Sequence, residues 1–313
     1  GFDVGGASII LEKDGSILIH SDMVDMGQGM RTAHAQVAAE ALGIGLDRIQ
    51  MAETDTSCVP DAGPTVASRG LSAGGMGILR AAESLKEQLL DAMATYWELT
   101  PEKITLKNEE FRSEDGRVLE FGEAVSLLTN QKGLSFSSRG WFNPGVVHID
   151  PETGEGNCYP SYLSALSLTE ILVDTYTGAI TVPKVTLAYE LGRAVNPDII
   201  RGQLIGGYTQ GLGYALCENL KTPDGRVETS SFGSYLMPLL SDAPEFDVKI
   251  FEEDFSTGPF GAKGIGEVGV ELAAPGVSNA LYHATGLRMR KLPLLMEEIA
   301  PLLLKEEMTD ELF

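Results

Sequence analysis

Cysteine is scarce in this 313-residue sequence: Cys58, Cys158 and Cys217 stand far apart, with no CxxC pair among them. That spacing argues against a disulfide framework and against a cysteine-built zinc or iron–sulfur site, and it fits a reducing, cytoplasmic compartment. Histidine is equally thin. His20, His34, His148 and His283 form neither an HExxH motif nor an i,i+4 pair, so no metal held by side chains is expected. Cations are outnumbered, with 23 Lys and Arg against 45 Asp and Glu. The resulting formal charge of −22 repels a phosphate backbone, and nucleic acid is not an expected partner. Part of the acidic excess lies in residues 305–311, expected to be solvated and to carry no chemistry. The longest apolar runs, such as 294–296 and 302–304, fall far short of the roughly 20 residues a membrane helix needs. Residues 1–8 lack a charged segment followed by an apolar one, so no targeting signal is expected.

What is present is an ordinary globular composition, 43% hydrophobic, in a chain longer than most single cores hold; two packed units are expected. Residues 7–12 and 17–20 are β-rich and flank Lys13-Asp14-Gly15-Ser16, which predicts a hairpin. Helix formers with apolar spacing follow over 30–42, stopped by Gly43. A short strand is expected at 49–52, a long helix over 78–96, and short strands with polar turns from 100 to 140. Asn143-Pro144-Gly145 and Asp150-Pro151-Glu152-Thr153-Gly154 read as a loop between units, with the boundary placed near Arg139. That gives a first lobe over 1–139 and a second over 140–313. The second lobe repeats the opening pattern, with a hairpin at 170–174 and 179–182, then a helix from about Pro197 to Glu218. The fold class expected is α+β: two sandwich-like lobes of mixed sheets covered by helices.

Chemistry is sought in four glycine-bearing segments: 25–29, 65–70, 202–207 and 261–267. Glycine there permits close backbone approach and lets amides face an anionic ligand. Gly264-Ile265-Gly266-Glu267-Val268-Gly269 spells GxGxxG, but no buried strand precedes it, so a nicotinamide site is not expected. Glu267 is the one acid of its cluster. From the residues alone it is either a general base or a first-turn acid favouring a helix start. Gln28 and Gln203 carry amides that donate and accept, though such glutamines are often merely solvated. Asn196-Pro197 predicts a helix start. Ser68 lacks a GxSxG context and is read as a positioning hydroxyl or a cap.

Five motifs, taken in order, resemble a known family. They are Asp25-Met26-Gly27-Gln28-Gly29 with Thr32, Gln36 and Ala39-Glu40; Asp55-Thr56 with Pro60 and Pro64-Thr65-Val66-Ala67-Ser68; Val195-Asn196-Pro197 with Gly202-Gln203 and 210–213; Lys263-Gly264-Ile265-Gly266-Glu267; and Leu292-Pro293-Leu294. Together they are similar to the C-terminal half of the molybdopterin-binding region of xanthine dehydrogenases and aldehyde oxidases. The resemblance implies a molybdopterin cofactor, in plain or cytosine-dinucleotide form, with no side-chain ligand to molybdenum. It implies that Gly27, Gln28 and Gly29 contact the pterin or its phosphate. It further implies that Ala67, Ser68, Arg69 and Gly70 present backbone amides, that Gln203 meets the pterin, and that Glu267 is the catalytic base.

The activity implied is hydroxylation of an electron-poor carbon of an N-heterocycle such as a purine, using water-derived oxygen. An aldehyde oxidoreductase component and a non-catalytic subunit bracing a partner's cofactor stay open. Arg69-Gly70 departs from many relatives, which carry other small or polar residues after the serine. The expected partners are a first-half molybdopterin-binding subunit or domain, subunits carrying a 2Fe-2S cluster and FAD, and a small-molecule substrate.

Overall fold

The Asp14-Gly15 turn closes its hairpin because the Asp14 carboxylate accepts from both the amide and the hydroxyl of Ser16, at 2.9 and 2.7 Å. Strands β1 (Gly5–Leu11) and β2 (Ile17–Ser21) pair antiparallel on either side of it. This computed structural model describes residues 4–310 except 146, 147, 158, 160 and 254, with backbone only for 148, 157 and 306–310. Cys158 and Glu311 of the sequence reading lie outside the described residues. The chain forms two units, one of Gly1–Tyr162, Gly192–Asn196 and Glu253–Gly264, the other of Leu163–Leu191, Pro197–Glu252 and Ile265–Phe313.

In the first unit, helix α1 (Met30–Leu42) ends in a left-handed Gly43, and β3 (Ile49–Met51) returns parallel to β2. A long helix, α2 (Gly75–Trp97), is followed by the antiparallel β4 (Ile104–Lys107), β5 (Glu110–Ser113) and β6 (Val118–Glu120) and the short α3 (Phe121–Ser126). Strand β7 (Phe136–Phe142) pairs with β1, giving the sheet order β3-β2-β1-β7. Strict alternation in β2 and β7 turns Ile17, Ile19, Phe136 and Ser138 toward the helices, where Val37, Ile78, Leu85 and Leu89 complete the core. Each such aliphatic side chain contributes about 1.5–3 kcal/mol by leaving water. A two-residue pair, β8 (His148–Ile149) with β9 (Gly156–Asn157), follows.

In the second unit, β10 (Ala165–Val173) and β11 (Ile180–Glu190) form a bulged antiparallel hairpin. Helix α4 (Pro197–Leu216) leads to β12 (Glu245–Phe251), which runs parallel to β11. Helix α5 (Ala273–Thr285) packs on β10 and α4, and α6 (Met296–Asp310) closes the described chain. The core joins Val185, Leu187 and Tyr189 of β11 to Leu204, Tyr208 and Leu212 of α4 and to Val277 and Leu281 of α5.

Both units therefore use one plan: antiparallel hairpin, helix, then a strand parallel to the second hairpin strand. The α+β architecture of mixed sheets covered by helices is as the patterning implied. A division at Arg139 would fall inside β7, which is hydrogen-bonded to β1, whereas the chain first leaves the first unit after Tyr162.

Candidate functional site

The turn between β2 and α1 is organised by Asp25. Its carboxylate accepts from the amides of Gly27 and Arg31, both at 2.9 Å, and so serves as the cap that Gly29 at the head of α1 cannot supply. Burial pushes the Asp25 carboxyl up, but the amides of Arg31, Gly27 and Gly29 and the Arg31 charge outweigh it and hold the group below its ordinary value. Gln28 is turned into the same loop, its Oε1 accepting from the Met26 amide at 2.5 Å and its Nε2 donating to the Val24 carbonyl at 3.0 Å. A primary amide has two donors and two lone pairs, so one N–H and one lone pair of Gln28 are left for a ligand. The amides of Gly27 and Gly29, by contrast, already serve Asp25.

Residues 62–74 form the second turn. Ala67 and Ser68 both lie in the left-handed region, at φ 57 and 55, an arrangement uncommon for one non-glycine residue and more so for two in succession. Such backbone persists only where its surroundings over-determine it, and it concentrates at ligand sites. Three contacts over-determine it here. Arg69, 4% exposed, donates through its guanidinium to the carbonyls of Val4, Ala62 and Pro64. Gly70 opens a π turn, Gly70–Gly74, that runs into α2 and has its carbonyl bonded to His34 Nε2 at 2.9 Å. Gly264 lies against the Ser68 carbonyl so closely that a Cβ on it would come within 1.9 Å of that oxygen, and only glycine fits.

Beneath this turn lies a buried polar cluster. Asp22, 7% exposed, accepts from the Gly6 amide at 3.0 Å through Oδ2, while its Oδ1 is buried with no hydrogen-bond partner among the described residues. Burial pushes the Asp22 carboxyl up to about 6, against the pull of the Gly6 amide and the Arg69 charge. His34, 1% exposed, also meets the Ser21 hydroxyl at 3.3 Å through Nδ1, and burial pushes its pKa down.

In the second unit, Gln203 projects from α4 and donates to the Gly266 carbonyl at 3.1 Å, fastening the turn that carries Glu267. Glu267 is exposed. It does not cap α5, whose first residue is Ala273 and whose N-cap is Leu272, so the helix expected from 268 starts later and the capping alternative falls. The proline start of α4 at Pro197 is as expected, and Asn196 Nδ2 donates to Gln36 Oε1 at 3.1 Å, joining two of the sequence motifs. A cleft of about 700 Å³ between β10 and α5, lined by Ser167, Thr169, Gly276 and His283, includes neither Gln203 nor Glu267. Among the described residues, no group of three His, Cys, Asp or Glu is placed to hold a metal ion, and no helix is long and apolar enough to cross a membrane.

These features suit a cofactor gripped through backbone and amide groups. In the first unit the left-handed pair at 67–68 sits at the surface, and Gly27 faces open space where a Cβ would meet nothing within 4 Å among the described residues. Of the residues expected to meet it, Arg69 and Gly70 are buried: the Arg69 amide reaches the Val66 carbonyl at 3.4 Å, and Gly70 packs under Met30. Sequence reasoning missed Asp25 as a cap and Asp22 and His34 as buried partners. An Asp two residues before a glycine turn was the available signal for the first; Asp22 meets Gly6, and His34 meets Ser21 and Gly70, only in three dimensions.

Residues 1–244 match the molybdopterin cofactor-binding domain family. The chain is 27% identical over 94% of its length to the aldehyde oxidoreductase molybdenum-binding subunit PaoC of Escherichia coli. It is 29% identical over 95% to the gamma subunit of the 6-hydroxypseudooxynicotine dehydrogenase complex of Paenarthrobacter nicotinovorans. It spans 38% and 37% of those proteins, respectively. The crystal structure of the aldehyde oxidoreductase from Desulfovibrio gigas superposes with a TM-score of 0.80 at 26% identity, covering 97% of this chain and 31% of that one. The chain thus belongs to the molybdopterin cofactor-binding domain family, of the kind carried by molybdenum hydroxylases of the xanthine dehydrogenase and aldehyde oxidoreductase type.

Proposed function

We propose that the chain is the Glu267-bearing part of a molybdenum hydroxylase that oxidises an electron-poor carbon of an N-heterocycle such as a purine. When bound, the molybdopterin group supplies a metal that activates water-derived oxygen and accepts two electrons. In this reading Ala67 and Ser68 bind it through their backbone, Gln28 offers its remaining N–H and lone pair, and Gln203 meets the pterin while holding the 266–267 turn. Gly27 leaves room for close approach, and Gly29 lies beside it in the same turn. Glu267 takes up the proton released as the oxygen nucleophile forms, a general-base role that contributes about 10²–10⁴-fold in rate.

The observation that carries the reading is Glu267 itself: an exposed carboxylate on a turn strapped to α4 by Gln203, ahead of α5 and not its cap. Aldehydes are the second reading, favoured by the PaoC and Desulfovibrio gigas matches. The relatives' names as subunits support a chain that works beside partner subunits; a first-half molybdopterin-binding region and subunits carrying a 2Fe-2S cluster and FAD are the partners this reading assigns. The test is Glu267→Gln in the full protein with its partner half. Cofactor content should hold while turnover falls about 10²–10⁴-fold. Near-normal turnover with hypoxanthine, nicotinate and aldehydes alike would overturn the assignment.

A further inference from the structure

His34 sits at the centre of a directed chain of hydrogen bonds. The Gly70 carbonyl can only accept, so His34 Nε2, 2.9 Å away, must carry the proton. Nδ1 is then bare and accepts from the Ser21 hydroxyl at 3.3 Å, whose oxygen in turn accepts from the Met23 amide at 3.2 Å. The chain thus ties the end of β2, through α1, to the first residue of the π turn.

That residue carries an uncommon load. The Gly75 N–H is shared between the carbonyls of Gly70 and Leu71, the first giving the π register and the second the α register. His34 fills the other lone pair of Gly70 and fixes the carbonyl in the position that the π register needs. The consequence reaches Ala67 and Ser68. Loss of the extra residue from the turn would shift what precedes it by one helical step, a rotation of about 100° and a rise of about 1.5 Å. Amides aimed at a ligand would then miss it.

We propose that His34 is a positioning residue for molybdopterin: by hydrogen bonding to the Gly70 carbonyl it sets the π turn and thereby the direction in which Ala67 and Ser68 present their backbone. The inference rests on the reading of that turn as a cofactor contact. Three variants of the full protein with its partner half separate the two. His34→Leu keeps the volume and removes the donor, His34→Gln restores a donor, and Ser68→Pro breaks the turn directly, because proline cannot adopt φ 55.

The readouts are amide hydrogen exchange in cofactor-free protein and pterin content measured after oxidative release. In His34→Leu, exchange at residues 71–75 should quicken about tenfold, the loss of one buried hydrogen bond. Residues 81–93 of α2 should keep native rates, and pterin content should fall severalfold. His34→Gln should recover both signals. Native exchange and full pterin in His34→Leu would overturn the proposal, as would a His34→Gln protein indistinguishable from it. Faster exchange with full pterin in His34→Leu, beside a Ser68→Pro protein that loses pterin, would break the link between the π turn and the cofactor. Full pterin in Ser68→Pro would instead remove the turn from the binding site.

Discussion

Gly211 of α4 lies so close to Val270 that a Cβ on it would come within 2.6 Å of the Val270 carbonyl oxygen, and equally near the Ala273 side chain. The segment that carries Glu267 can approach α4 only because that position is bare. Alanine in place of mid-helix glycine ordinarily stabilises by about 1 kcal/mol. At Gly211 overpacking against a backbone atom, about 1–3 kcal/mol, wins. Gly202, on the same helix with nothing within 4 Å of its would-be Cβ, supplies the contrast. Urea unfolding should show Gly211→Ala destabilised by about 1–2 kcal/mol and Gly202→Ala unchanged or stabilised. Equal stability of the two would refute the packing argument.

The same contact explains what could and could not be read in the chain. Helix α1 was legible to the residue, because Gly43 stops it and its helix formers are uninterrupted. The start of α5 was not, since Val268, Val270 and Leu272 extend the apolar pattern of the helix, whereas Gly269 and Val270 are spent on packing against α4. The hairpins were found at Asp14-Gly15 and Thr177-Gly178, where turn chemistry is local, yet β10 and β11 extend well past the expected pieces because sheet pairing is not local. Glu267, Gln203 and Ser68 stood out as motif residues. The resemblance implies only a backbone role for Arg69, because its guanidinium is buried only where Val4, Ala62 and Pro64 converge on it.

Asp22 makes stability depend on pH in a definite direction. Its carboxyl is pushed up to about 6 from an ordinary 3.8, so between those values the folded protein holds a proton that the unfolded chain releases. The stability this supplies is complete below about pH 4 and is lost as pH rises through 6. Two units correspond to about 2.7 kcal/mol, reduced to roughly 1–2 kcal/mol because solvent screens part of the field. Asp22→Asn keeps an acceptor for the Gly6 amide and should abolish this slope in urea unfolding between pH 4.5 and 7. A slope of undiminished size in the variant would assign it to other groups.

Arg69 should tolerate no substitute, lysine included. A single ammonium on a flexible stem cannot reach three carbonyls that a planar fork spans. Arg69→Lys leaves at least one buried carbonyl unpaired, at about 1–3 kcal/mol each. The melting temperature should fall, and limited proteolysis should gain cuts within 55–66. Native melting together with native cleavage would show that the loop is held by other contacts.

Gln203 separates positioning from stability. It is partly exposed and its single described bond, to the Gly266 carbonyl, is worth about 1 kcal/mol at most to the fold. Under the proposed function its larger effect is on Glu267, the residue after Gly266, because a general base acts only when its carboxylate is held within hydrogen-bond reach of the proton it is to take up. Small misplacements of a base cost far more in rate than the lost bond costs in stability. In Gln203→Leu, therefore, unfolding should be within about 1 kcal/mol of the parent while turnover per bound cofactor falls about tenfold or more. Unchanged turnover at full occupancy would mean that the 266–267 turn keeps its place without the strap, and that the packing of α4 against 269–273 alone positions the carboxylate.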